Sequence, residues 1–173
     1  MYCRASWVQT RLTLVVAPLN GGKTTYLVHL IETLKQDGLA VGGVLALANP
    51  EKTWYRLKDL SSTESRLVLC ETQSLGMQRI GRFSIDAEGF AWANALIEKS
   101  LGKSDVVVFD EIGRLELNDG GLAPSFRKAL ARKQVSILAA VRDVHVEEVV
   151  RHFGLEASEL NLVQVNKDDI ENE

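Results

Sequence analysis

The chain has 173 residues, 46% of them hydrophobic and 25% charged, which suits one α/β domain with a single core across residues 1–173 and excludes a low-complexity polypeptide. The formal net charge of −3 gives no electrostatic reason to expect a nucleic-acid partner. No apolar run reaches the roughly 18 residues of a membrane span. Met1 to Thr13 lacks an apolar signal core, and Cys3 and Cys70 lack metal-ligand spacing. The expectation is a cytoplasmic protein with free thiols and no membrane partner.

Taken in chain order, Leu12–Ala17 is a continuous apolar run and reads as a buried strand. Lys23 to Gln36 carries Leu27, Leu30, Ile31 and Leu34 on one helical face, and Gly38 stands where a helix stop belongs. Val41–Ala48 is a second strand. The stretch 49–86 is different: Trp54–Asp59, Arg66–Cys70 and Arg82–Ile85 are short and separated by Ser, Thr and Gly. They predict a small antiparallel hairpin insertion on the edge of the main sheet. A helix from Ala87 to Leu101 turns Phe90, Ala93, Ile97 and Leu101 inward. Val106–Asp110 and Val135–Val141 are two more buried strands, Val146 to Phe153 a short helix, Leu160–Val165 the last strand, and 166–173 a frayed acidic tail. Alternating strands and helices of this kind form a mostly parallel sheet flanked by helices.

Ala17-Pro18-Leu19-Asn20-Gly21-Gly22-Lys23-Thr24 has Walker A spacing between a strand and a helix, with Ala17 where the motif usually has its first glycine. Such a P-loop cradles a nucleoside triphosphate. Pro18 to Thr25 form the expected nucleotide-binding set. The backbone N–H groups of Asn20, Gly21, Gly22, Lys23 and Thr24 converge on phosphate oxygens at the positive end of a helix. Gly21 and Gly22 allow the close approach, and Leu19 lies within the loop. Lys23 reaches the β and γ phosphates, the Thr24 hydroxyl ligates Mg²⁺, and Thr25 bonds the α-phosphate.

Val106-Val107-Val108-Phe109-Asp110-Glu111 delivers two carboxylates at the end of a buried strand, the end at which open α/β sheets bind ligands. Asp110 is the expected Mg²⁺ partner, in the Walker B role. Glu111 is the group that orients a water behind the γ-phosphate or takes its proton. Arg142 follows the strand Val135–Val141 and is a candidate γ-phosphate sensor; Arg114 beside the acidic pair is a weaker one. His29, His145 and His152 have no ligand spacing and read as structural or solvated. Trp54 and Tyr55 read as edge-strand packing rather than as a base platform.

Several segments together resemble the small P-loop nucleoside-triphosphatase family, thermophile type, also described as nucleotide-kinase-related. They are Asn20-Gly21-Gly22-Lys23-Thr24-Thr25, Gly42-Gly43, Ile80-Gly81-Arg82-Phe83-Ser84-Ile85-Asp86, Asp110-Glu111-Ile112-Gly113-Arg114-Leu115-Glu116-Leu117 and Val163-Gln164-Val165-Asn166-Lys167. The resemblance implies a RecA-like sheet and Mg²⁺-dependent hydrolysis of ATP, GTP and other nucleoside triphosphates. Under it Lys23 and Thr24 bind phosphate and metal, Asp110 supports the metal and Glu111 activates water. Glu116 either braces the site or sits in a solvated turn. Val44 to Pro50 departs from the family, being apolar and ending in Asn-Pro where a polar Thr/Glu segment is usual. The alternatives to hydrolysis are a nucleotide or small-molecule kinase, with 49–85 as a lid or acceptor site, and a nucleotide-gated switch with slow turnover.

Overall fold

The computed structural model describes residues 10–166; Cys3 and the part of the acidic tail beyond Asn166 lie outside the described residues. Nine strands form one sheet: β1 Leu12–Ala17, β2 Val41–Ala48, β3 Trp54–Asp59, β4 Ser65–Cys70, β5 Arg79–Ile80, β6 Phe83–Ile85, β7 Val106–Phe109, β8 Ser136–Arg142 and β9 Leu160–Gln164, in the order β5-β6-β4-β3-β2-β7-β8-β1-β9. The five strands from β2 to β9 in that order run parallel, and β3, β4, β6 and β5 extend the sheet with antiparallel pairs beside β2. The expected hairpin is therefore a four-stranded extension of the same sheet. Its outermost strands are two and three residues long, too short to be distinguished from turns by periodicity.

The helices are α1 Lys23–Gln36, α2 Ala87–Ser100, α3 Ala123–Ala131 and α4 Val146–Phe153. Side-chain alternation divides β1 between two cores. Leu12, Leu14 and Val16 pack with Phe90 and Ile97 of α2, Phe126 of α3 and Val149 of α4, whereas Val15 and Ala17 pack with Leu27, Leu30, Ile31 and Leu34 of α1. On the first face Phe109, Phe126 and Phe153 meet edge to face, with centroids 5.1 and 4.9 Å apart. Helix ends follow local chemistry. The N–H of Gly38 donates to the Lys35 carbonyl and that of Leu39 to Leu34, both at 3.0 Å, with Gly38 left-handed at φ +84°, a Schellman stop. The Asp86 carboxylate caps α2 by accepting from the N–H groups of Glu88 and Gly89 at 3.0 and 3.2 Å.

The topology sets the site. β8 lies between β1 and β7, so the loop after β1 and the acids after β7 are held one strand apart. Their register is fixed by Ala17 opposite Arg142 and Phe109 opposite Ala139.

Gly89 tests how α2 sits on β4. A Cβ there would lie 2.1 Å from the Leu67 carbonyl oxygen, whereas one at Gly102 would meet nothing within 4 Å. Helix propensity alone makes Gly to Ala inside a helix favourable by about 1 kcal/mol, but the clash is with backbone and outweighs it. Urea unfolding is expected to show Gly89→Ala destabilised by roughly 2 kcal/mol or more and Gly102→Ala changed by less than about 0.5 kcal/mol. A stabilised Gly89→Ala would contradict this packing.

Candidate functional site

A cleft of about 650 Å³ opens at the C-terminal ends of β1, β7 and β8, the usual ligand end of an open α/β sheet. The loop between β1 and α1 forms one wall. Gly22 has φ +89° and Asn20 φ +59°, so the chain turns tightly and brings the N-terminus of α1 to the cleft. The Gly21 N–H closes the turn on the Pro18 carbonyl at 3.0 Å. The Lys23 ammonium, 6% exposed, donates to the carbonyls of Ala17 and Pro18 at 3.3 and 3.2 Å. Burial holds its pKa below the ordinary lysine range, against the opposing pull of Glu111.

The residues following β7 complete the centre. Asp110, 3% exposed, accepts from the Thr24 hydroxyl at 2.8 Å and from the Ala46 N–H at 3.2 Å, both on Oδ2. Burial raises its pKa to about 6 despite these two bonds. The Glu111 carboxylate stands between two cations: Lys23 Nζ is 3.8 Å from one oxygen and Arg142 Nε 3.4 Å from the other. Lys23, Thr24, Asp110, Glu111 and Arg142, separated by up to 119 positions in sequence, thus meet in one cleft. Leu19 to Thr25 line it as well; Pro18 does not, and contributes its carbonyl to the loop.

Of the two readings of Glu116, the brace is the one observed. It is 4% exposed and accepts from the N–H groups of Gly113 and Leu122, both at 2.9 Å. It therefore ties together the two ends of the 113–122 loop that follows Glu111. Burial lifts its pKa to about 7, with Glu111 adding to the rise and the two amides opposing it.

Sequence reasoning underrated the opposite wall. Tyr55 lines the cleft and packs edge to face on Phe83 with centroids 5.5 Å apart. Lys52 donates to the Asn20 side chain of the loop, and Arg82 donates to the Lys52 carbonyl at 3.2 Å while pairing with Glu71 at 3.4 Å. His145, expected to be structural or solvated, also lines the cleft. His152 pairs with Asp119 at 3.1 Å, away from it. The wall is positioned by the antiparallel pairing of β3 with β2, which sets Tyr55 opposite Ala48, and the sequence by itself does not display that register.

The donors suit a hard cation. A hydroxyl and one carboxylate 2.8 Å apart, beside a phosphate-binding loop, match the sparse protein ligation that Mg²⁺ uses with nucleotides. Among the described residues no cluster of three or more His, Cys, Asp or Glu forms an all-protein metal cage.

The burial of Glu116 carries a pH signature. Its folded-state pKa of about 7 lies above the ordinary 4.5, so the folded chain binds more protons than the unfolded one between those values and stability falls as pH rises through that window. Urea unfolding at pH 5, 6 and 7 in chelator is expected to show a loss in wild type that exceeds the loss in Glu116→Gln by about 1–3 kcal/mol. Equal slopes would contradict a buried, titrating Glu116.

A family model described as NTPase matches residues 13–173. The chain is 29% identical to the nucleoside-triphosphatase THEP1 of Pyrococcus abyssi over 138 residues, 78% of this chain and 74% of that protein. It is 26% identical to the THEP1 of Caldivirga maquilingensis over 160 residues, 89% and 87% of the two. The crystal structure of THEP1 from Aquifex aeolicus superposes with a TM-score of 0.76 at 16% identity, covering 93% of both chains. The solution structure of a human cancer-related nucleoside triphosphatase gives 0.71 at 21% identity, covering 92% and 91%. These two likenesses establish the fold, a mixed sheet with parallel strands flanked by helices, as in P-loop NTPases.

Proposed function

The chain belongs to the NTPase family and is a nucleoside-triphosphatase, and on that premise we propose how its cleft removes the terminal phosphate of nucleoside 5′-triphosphates, ATP and GTP among them, with Mg²⁺. The single observation that carries the assignment is the Glu111 carboxylate held between Lys23 and Arg142 at 3.8 and 3.4 Å. A γ-phosphate drawn to those two cations stands beside a carboxylate suited to act on water.

In this reading the amides of residues 20–24 and Lys23 hold the β and γ phosphates, and Thr25 the α-phosphate. Thr24 and Asp110 would hold Mg²⁺, which when bound offsets charge developing on the phosphate oxygens. Glu111 accepts a proton from the attacking water as its oxygen bonds to the γ-phosphorus and the bond from that phosphorus to the β–γ bridging oxygen breaks, the electron pair leaving with the nucleoside diphosphate. Arg142 faces the same phosphoryl group and stabilises its transition-state charge. Glu116 acts at one remove by holding the loop after Glu111. The whole chain serves as one catalytic domain in the cytoplasm, where triphosphates and the reducing conditions for the buried Cys70 thiol coincide. Among the described residues no helix is long and apolar enough to cross a membrane.

Phosphate release from ATP, GTP, CTP and UTP tests the assignment. Glu111→Gln is expected to retain nucleotide and to slow release by at least ~10²-fold. Arg142→Ala is expected to slow it by roughly 10³-fold. Lys23→Ala is expected to lose nucleotide, and chelator to stop wild-type turnover. Full activity in Glu111→Gln would remove that residue from the mechanism.

A further inference from the structure

The loop that joins β2 to β3, residues 49–53, is built around one lysine. Asn49 uses its whole side-chain amide to shape it. Its Oδ1 accepts from the N–H groups of Thr53 and Trp54 at 2.9 and 3.2 Å, and its Nδ2 donates to Thr53 Oγ1 and Glu51 Oε2 at 2.8 and 3.0 Å. The Lys52 N–H closes the turn on the Asn49 carbonyl at 2.9 Å. The Lys52 carbonyl accepts from Arg82 at 3.2 Å, and Arg82 pairs in turn with Glu71 at 3.4 Å. The backbone of Lys52 is thus fixed through both its amide and its carbonyl, and its ammonium donates across the cleft to the Asn20 side chain of the phosphate loop.

This placement has a conformational cost. Among the described residues, the non-glycine residues with a left-handed backbone are Asn20 at φ +59°, Lys52 at +53° and Asp119 at +59°. Asparagine and aspartate adopt that region readily, and lysine does not. Two of the three touch each other in the cleft, and such local strain recurs at ligand clamps. The acceptor of the Lys52 ammonium is a neutral amide oxygen, whereas a charged phosphate oxygen would accept more strongly. Position says which phosphate. In the proposed site Thr25 takes the α-phosphate and Lys23 the β and γ, so the phosphates run back toward the start of the loop. Asn20 stands at their terminal end.

We propose that Lys52 is a further catalytic residue: with a triphosphate bound, its ammonium leaves Asn20 and donates to a γ-phosphoryl oxygen from the wall opposite Lys23 and Arg142. It forms no covalent bond. Its charge counters the negative charge that gathers on the phosphoryl group and the β–γ bridging oxygen as the bond between them breaks. A diphosphate lacks that acceptor, so Lys52 also distinguishes substrate from product. The inference rests on the triphosphate site proposed above.

The test uses whichever of ATP, GTP, CTP and UTP wild type hydrolyses fastest, with Mg²⁺, and measures kcat, KM and the affinities of its β,γ-imido analogue and of its diphosphate. Lys52→Met is expected to lower kcat roughly 10²-fold and analogue affinity about 10-fold, with diphosphate affinity unchanged. Lys52→Arg is expected to recover most of both losses. Lys52→Gly, which suits the left-handed backbone, is expected to match the losses of Lys52→Met without lowering the urea midpoint in chelator, which separates the effect from folding. Lys58→Met removes an exposed charge from β3 and is the control for net charge. Turnover in Lys52→Met equal to that in Lys58→Met would overturn the inference and leave the hydrolase intact. Equal losses of analogue and diphosphate affinity would do the same, since they mark a residue that only props the loop through Asn20. Wild type that releases phosphate from none of the four triphosphates would overturn the hydrolysis reading and this inference together.

Discussion

Two charged side chains, Lys23 and Asp110, are withdrawn from water at one end of the sheet, at 6% and 3% exposure, and the surrounding structure is arranged to tolerate them. Burying an ion costs several kcal/mol even after relaxation. Partial compensation comes from the two loop carbonyls around Lys23 and from the Thr24 hydroxyl and Ala46 amide on Asp110. Each partner is held by a different element. The loop needs β1 and α1, Ala46 needs β2 beside β7, and the spacing between Lys23 and Asp110 needs β8 between their strands. The depressed Lys23 and raised Asp110 pKa values record the compensation that is still missing. In the proposed mechanism a triphosphate would bring negative charge to the first and a magnesium ion positive charge to the second.

The same logic explains the loop after Glu111. The proposed role of that carboxylate requires its backbone to be fixed, and the 113–122 segment contains just a short 3-10 turn, Glu116–Asn118. Buried Glu116 replaces regular structure there by taking both end amides, while Gly121, at φ +56°, leaves room for it: a Cβ would lie 2.1 Å from its carboxylate oxygen. A polar side chain thus does inside the loop what a ladder of backbone bonds does in the strands.

Legibility in the sequence followed the range of the interactions. β1, α1, β2 and α4 were readable to the residue because their signals are local: apolar runs, a helical stripe and a stop glycine. The central acids were readable because a strand ending in Asp-Glu has few uses beside a P-loop. Helix α3 was not read from the sequence: it is only nine residues long, and its buried face of Ala123, Ser125, Phe126 and Ala129 holds one large apolar side chain; Pro124 in its first turn was an available signal. The far wall of the cleft escaped for another reason. Tyr55 and Arg82 reach it through antiparallel pairings with a register shift at Tyr55/Arg56, and such pairings are decided by the whole sheet.

The most direct test of this account is the stability of Asp110→Asn. Both hydrogen bonds to Asp110 fall on one oxygen, so an asparagine oxygen can keep them while the buried charge is removed. Urea unfolding at pH 7 in chelator is expected to show the nucleotide-free variant more stable than wild type by roughly 1–3 kcal/mol, since a carboxylate raised from 3.8 to about 6 is ionised there at a cost. With Mg²⁺ and a non-hydrolysable triphosphate at 100 times its Kd, wild type is expected to gain about 2.7 kcal/mol and the variant much less. A variant weaker than wild type without nucleotide, or one stabilised equally by the metal complex, would contradict the claim that a buried, under-compensated aspartate awaits the metal.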